Sequence, residues 1–121
     1  MNGRQLQGLL LDALPRLARS QDELRDLDAA IGDGDLGITV AQGCAASVDA
    51  LRALRESCAP SEVLRAVAPA VARANPSTFA ALVAAGLLAA SRTLDDRTEI
   101  GPTEVRRIPV NVATRVVARG V

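Results

Sequence analysis

The sequence predicts an all-α protein of five or six antiparallel helices, and three observations predict it. Apolar residues recur three and four apart in successive segments, as Leu6, Leu10, Leu14 and Leu17 do, which is the pattern of one helical face. Helix-start signals precede several of these segments: Ser20 with Glu23, Pro60-Ser61-Glu62, and Pro102-Thr103-Glu104. Period-two alternation is confined to Val110 and Val112, within Asn111 to Arg119 and its approach, a run that reads better as helix.

The first helix is expected over Gln5–Arg19, with Pro15 bending or interrupting it, since proline lacks the N–H that would bond four residues back. Ser20 and Glu23 form a capping-box pattern, so a second helix should run through Asp28 and end where Gly32 begins a loop. A third helix is expected from Leu36 or Ile38 to Ser57. Ala41, Gly43, Ala45 and Ala46 would allow close approach of a neighbour in its first half. Pro60 starts a fourth helix with Val63, Val67 and Val71 on one face and Pro69 as a kink. Asn75 as N-cap and Pro76 as first helical residue start a fifth that extends to about Ser91. Its apolar residues, among them Phe79, Leu82, Val83, Leu87 and Leu88, surround most of its circumference, the pattern of a helix buried between others. Thr93 to Gly101 is charged and turn-like. Pro102 starts the last helix, with Val105, Ile108, Val112 and Val116 at helical spacing and Pro109 interrupting it.

A chain of 121 residues with 49% hydrophobic and 23% charged content suits one soluble globular domain. The formal net charge is zero, all 14 cations are Arg, and no basic block is interleaved with aromatics. Nucleic acid and an acidic membrane surface are therefore disfavoured as partners. Cys44 and Cys58 lack CxxC spacing, and neither a secretory leader nor an apolar run of membrane-spanning length is present, so a cytoplasmic location is expected. Cys44 reads as a small buried apolar residue. The absence of His removes Ser-His-Asp and Cys-His nucleophile systems and the usual zinc sites. The absence of Lys removes the P-loop and Schiff-base chemistry. Metal plus carboxylate chemistry remains, with Arg and helix N-termini as anion partners.

That chemistry has a place in Asp28-Ala29-Ala30-Ile31-Gly32-Asp33-Gly34-Asp35-Leu36-Gly37. No Arg or Lys occurs from Asp26 through Leu51, so Asp28, Asp33 and Asp35 have no sequence-local counter-charge, and a bound cation would offset their repulsion. Carboxylate oxygens are hard ligands suited to Mg²⁺, Mn²⁺ or Ca²⁺. Glycine lets the loop turn tightly, and the helix that follows offers N–H donors and the positive end of its dipole to a phosphate. A solvated Asp/Gly turn between two helices is the competing reading. An EF-hand fits poorly, because the loop lacks the further ligands and closing Glu of that pattern. Thr39, one turn into the helix, is suited equally to a phosphate or to its own backbone, and Ser77 and Thr78 to capping or to a second phosphate seat.

The run Leu27-Asp28-Ala29-Ala30-Ile31-Gly32-Asp33-Gly34-Asp35-x-Gly37-x-Thr39-x-x-x-Gly43 resembles the signature of the L-subunit family of dihydroxyacetone kinases, a nucleotide-binding domain. Asn75-Pro76-Ser77-Thr78 resembles that family's second phosphate-contacting turn, and Gly120 the glycine before its next nucleotide-contacting loop. The resemblance implies an eight-helix barrel, of which this chain would be a partial, C-terminally truncated version, with apolar faces left uncovered and self-association as a consequence. It implies Mg²⁺ on Asp28, Asp33 and Asp35, and ADP or ATP contacting Leu36, Gly37, Ile38, Thr39, Pro76, Ser77, Thr78 and Gly120. It also implies a separate sugar-binding kinase subunit or domain as partner, with a phosphoryl-donor protein as an alternative source of phosphate. Leu36 stands where that family usually has His. The competing function is a non-catalytic helical module whose Asp-Gly loop is only a turn.

Overall fold

Helix-start chemistry organises the chain. The computed structural model describes the backbone of residues 1–29 and 36–118 and the side chains of 1–26 and 36–116. Six helices follow in order: α1 (Gly3–Ala18), α2 (Gln21–Ala29), α3 (Leu36–Arg52), α4 (Pro60–Ala74), α5 (Thr78–Thr93) and α6 (Pro102–Ala118). No strand lies among the described residues, so the all-α expectation holds.

Three helices begin with the same device. Asn2 Oδ1 accepts the Gln5 N–H and Gln5 Oε1 accepts the Asn2 N–H, both at 2.9 Å, so α1 starts two residues before the expected Gln5. At α4 the Ala59 N–H donates to Glu62 Oε1 at 3.2 Å, and at α6 the Gly101 N–H donates to Glu104 Oε2 at 3.0 Å. Each glutamine or glutamate satisfies one donor that a helix start leaves unpaired. At α2 the Leu24 N–H donates to Ser20 O at 3.0 Å, which places Ser20 at the cap as its sequence suggests.

The structure corrects several expectations. Pro15, Pro69 and Pro109 lie inside continuous helices and interrupt none of them. Each removes one helical bond, but Pro69 and Pro109 are exposed, so water can serve the carbonyl that loses its partner. Helix α3 ends at Arg52 and not at Ser57, because α4 must return antiparallel and the intervening residues reverse the chain through short turns such as Leu54 N–H to Leu51 O at 3.2 Å. Asn75 is the C-cap of α4 and not the N-cap of α5. Ser77 caps α5, its Oγ accepting the Ala80 N–H at 3.1 Å, so Pro76 precedes the helix. The residues α5 buries fully are small ones, Ala80, Ala84, Gly86, Ala90 and Ser91, while Phe79, Leu82, Val83 and Leu87 are half-buried and Leu88 is exposed. Close approach of neighbouring backbones, as of Val112 to Gly86, fills the space beside this helix.

Side-chain links give the directions. Gln7 Nε2 donates to Leu51 O at 2.5 Å, so the start of α1 meets the end of α3. Arg65 pairs with Asp95 and Asn75 Nδ2 donates to Gln42 Oε1 at 2.7 Å, so α4 runs antiparallel to α5 and to α3. Helix α2 packs on α3, α1 on α3 and α4, and α6 on α5. The core lies at one end, where Leu6, Leu51, Cys58, Val63, Leu64, Leu94 and Ile100 are almost wholly buried. The first residues are tied into that end: the Met1 ammonium donates to Ile100 O and the Ile100 N–H to Met1 O, both at 2.7 Å.

Candidate functional site

The opposite end of the bundle carries the start of α3 and the turn before α5. Helix α3 starts there, and the Asn75–Ser77 turn between α4 and α5 lies beside it, held by the Gln42–Asn75 hydrogen bond. Two helix N-termini, at Leu36 and Thr78, therefore open at the same end of the molecule. The sequence separation of 33 between Gln42 and Asn75 left this link without a local signal.

Asp28 lies on the last turn of α2, as expected. Asp33, Asp35 and Gly120 fall outside the described residues. Among the described residues no three carboxylate or thiol side chains gather to hold a metal ion. At the α3 start Gly37 and Thr39 are buried, whereas Ile38 between them is 45% exposed. Pro76 and Thr78 are exposed and Ser77 is half-buried. Ser77 Oγ is engaged by the Ala80 N–H, so its capping role is the one the geometry records.

The charges around α2 are mostly negative. Asp22, Glu23 and Asp26 are exposed, and Arg25 reaches Asp22 at 3.6 Å and Asp26 at 3.5 Å. Arg25 is the only cation between Arg19 and Arg52, and it is shared between two carboxylates already. The electrostatic setting therefore favours a cation near the α2–α3 connection more than a bare anion.

Beneath this end lies a cavity of about 320 Å³, lined by residues such as Leu14, Thr39, Val71, Phe79 and Val83. Its walls are apolar apart from Thr39, Ser47 and Cys44, and the Ser47 hydroxyl is turned to Gly43 O at 2.6 Å. A polyphosphate would lose its hydration there without ion partners, so this cavity does not suit one. Thr39 lines the cavity wall, a placement that the pattern of the motif did not reveal. Cys44 and Cys58 are both free and buried. Burial pushes both thiols above their ordinary range, and at Cys58 the Glu62 carboxylate adds to it. Neither is poised as a nucleophile, in keeping with the sequence reading of Cys44.

Among the described residues no helix is long and apolar enough to cross a membrane. The family model of the DAK2 domain matches residues 30–121. That span includes Asp33, Asp35 and the Asn75–Thr78 turn and begins two residues after Asp28. No curated protein and no solved structure matches the chain.

Proposed function

Because this chain belongs to the DAK2 domain family, the L-subunit type of dihydroxyacetone kinase, we propose that it binds an adenine nucleotide with Mg²⁺ and serves phosphoryl transfer to a small keto sugar. The observation that supports the reading is the shared end of the bundle, where the α3 start and the Ser77 turn lie side by side. Asp28, Asp33 and Asp35 would hold Mg²⁺, which supplies the positive charge that a nucleotide's β- and γ-phosphates require. A set of three carboxylates with few competing cations suits that ion. Backbone N–H groups at the starts of α3 and α5 donate to phosphate oxygens. Ile38, Pro76 and Thr78 present the accessible surface beside them, and Gly37 and Thr39 form the wall behind. Gly120 would contact the nucleotide as well.

Phosphoryl transfer relies on positioning and charge neutralisation more than on covalent help from the protein, so a chain without His or Lys is chemically adequate. Leu36 offers no proton-transfer group, and any base for the acceptor hydroxyl comes from the separate sugar-binding kinase subunit or domain. The proposed setting is the cytoplasm.

Calorimetric titration with ADP, in Mg²⁺ and in excess chelator, tests the reading. Binding is expected only with the metal, because the acidic loop alone repels a polyphosphate. Asp33→Asn and Asp35→Asn are expected to abolish it and to raise the melting temperature of the metal-free protein by relieving carboxylate repulsion. Equal affinity in chelator, or no binding at all, would instead favour a non-catalytic helical module whose Asp-Gly loop is a turn.

A further inference from the structure

We infer that Gly37 is a positioning residue: its bare Cα lets α3 start directly against the first turn of α2, and so fixes the helix that carries Asp28 relative to the phosphate-binding end of α3. The inference rests on the nucleotide-binding reading above and assigns Gly37 a role other than touching the nucleotide. A Cβ at Gly37 would lie 2.2 Å from Gln21 O and 3.1 Å from the Arg25 N. Both obstacles are backbone atoms of α2, which no rotamer change can move aside. The Gly37 φ is outside the left-handed region, so this position demands glycine for space and not for backbone conformation.

Other glycines show the contrast. A Cβ at Gly8 would meet nothing within 4 Å, and one at Gly43, a turn and a half further along α3, would come no nearer than 3.9 Å to Val71. Helix α3 is the helix against which α2 packs, so the Gly37 contact governs where α2 sits. Non-bonded heavy atoms settle at roughly 3.5 Å, so a methyl group at 37 forces α2 away by on the order of 1 Å. Asp28 moves with its helix, while the α3 N-terminus stays anchored by the buried residues further along it. Displacement of that size between parts of one site costs up to about a hundredfold where chemistry or binding needs both parts.

The experiment titrates Mg·ADP into wild type, Gly37→Ala, Leu24→Ala and Gly8→Ala, and measures amide hydrogen exchange on the same samples. Gly37→Ala is expected to bind about tenfold to a hundredfold more weakly and to need more Mg²⁺ for half-saturation. Its α2 amides should lose protection while those of α4 and α5 keep theirs, and Gly8→Ala should behave as wild type. A folded Gly37→Ala with wild-type affinity and wild-type Mg²⁺ requirement overturns the inference, because a packing role alone lowers the melting temperature without moving the metal requirement. Should Gly37→Ala fail to fold, Leu24→Ala decides: it trims the half-buried apolar side of α2, and an unchanged Mg²⁺ requirement overturns the inference. A wild type that binds no Mg·ADP defeats the nucleotide reading instead. In that case loss of α2 protection in Gly37→Ala upholds the α2–α3 contact, and unchanged protection removes it.

Discussion

The two ends of this bundle are built differently. At one end Leu6, Leu51, Val63, Leu64, Leu94 and Ile100 interlock with almost no exposure, and the first two residues are stitched to the α5–α6 connection. At the other, Leu17 and Ile38 are 47% and 45% exposed, a cavity runs inward, and α2 packs chiefly on α3. The packed end carries the stability, whereas the open end has fewer buried contacts and so can rearrange around a ligand at low cost. Family membership directs attention to the open end, where Gly37, Thr39 and Ser77 are.

The sharpest way to break this contrast is truncation of one leucine at each end. Leu64→Ala should cost about 2–5 kcal/mol, as removal of a fully buried leucine does. Leu17→Ala should cost less than about 1 kcal/mol, since half of that side chain already faces water. Chemical denaturation of both variants checks this; equal losses would mean that the ends are not distinct.

Gly86 is the next largest effect. A Cβ there would lie 2.8 Å from Val112 Cα, so Gly86→Ala should cost about 1–3 kcal/mol by forcing α6 off α5. Because α6 has no fully buried residue among its described side chains, exchange of its amides should rise before any other helix responds. A neutral Gly86→Ala would show that this contact yields easily.

Ser77→Ala sharpens the comparison at the open end. Loss of the bond from Ala80 N–H should cost about 0.5–2 kcal/mol, read by thermal melting. If nucleotide affinity at saturating Mg²⁺ falls beyond what that destabilisation explains, Ser77 serves the phosphate seat as well as the helix.

The smallest effect is electrostatic and belongs to the packed end. Glu104 is held below the ordinary carboxylate range, chiefly by its own backbone N–H, which outweighs the opposing push from burial, with Arg97 and the Gly101 N–H adding to it. A depressed folded-state pKa contributes stability that is present above the unfolded value and is lost as pH falls through the folded one. The gap in melting temperature between wild type and Glu104→Gln should therefore be widest near neutral pH and close on acidification. It should also stay small, because the Glu104–Arg97 pair is partly exposed and screened. A gap that widens in acid would mean that another group governs this cap.

The helices were legible because their signals are local. Ser20, Pro60 with Glu62 and Pro102 with Glu104 each act within one turn of themselves, and a single sequence records them. The starts of α1 and α5 were misplaced by two residues for the same reason in reverse: Asn2 and Asn75 are both plausible caps by composition, and only the surrounding chain made one of them a C-cap. Pro109 does not interrupt its helix, because a proline removes one bond of many and α6 is held against α5. The candidate site was legible as a motif and not as a place. Nothing in the spacing could show that Gln42 would bind Asn75, that Thr39 would line a cavity, or that Gly37 would press on Gln21, since each depends on helices far apart in sequence or on a backbone approach that no residue type announces.

The central claim is that ligand chemistry belongs to the open end and the fold to the packed end. Backbone amide shifts recorded by NMR as Mg·ADP is added test it most directly. The account predicts changes concentrated in α2, the first two turns of α3 and residues 75–80, with Leu51, Cys58, Leu94 and Ile100 unmoved. Changes centred on those four residues, or none anywhere, would contradict it.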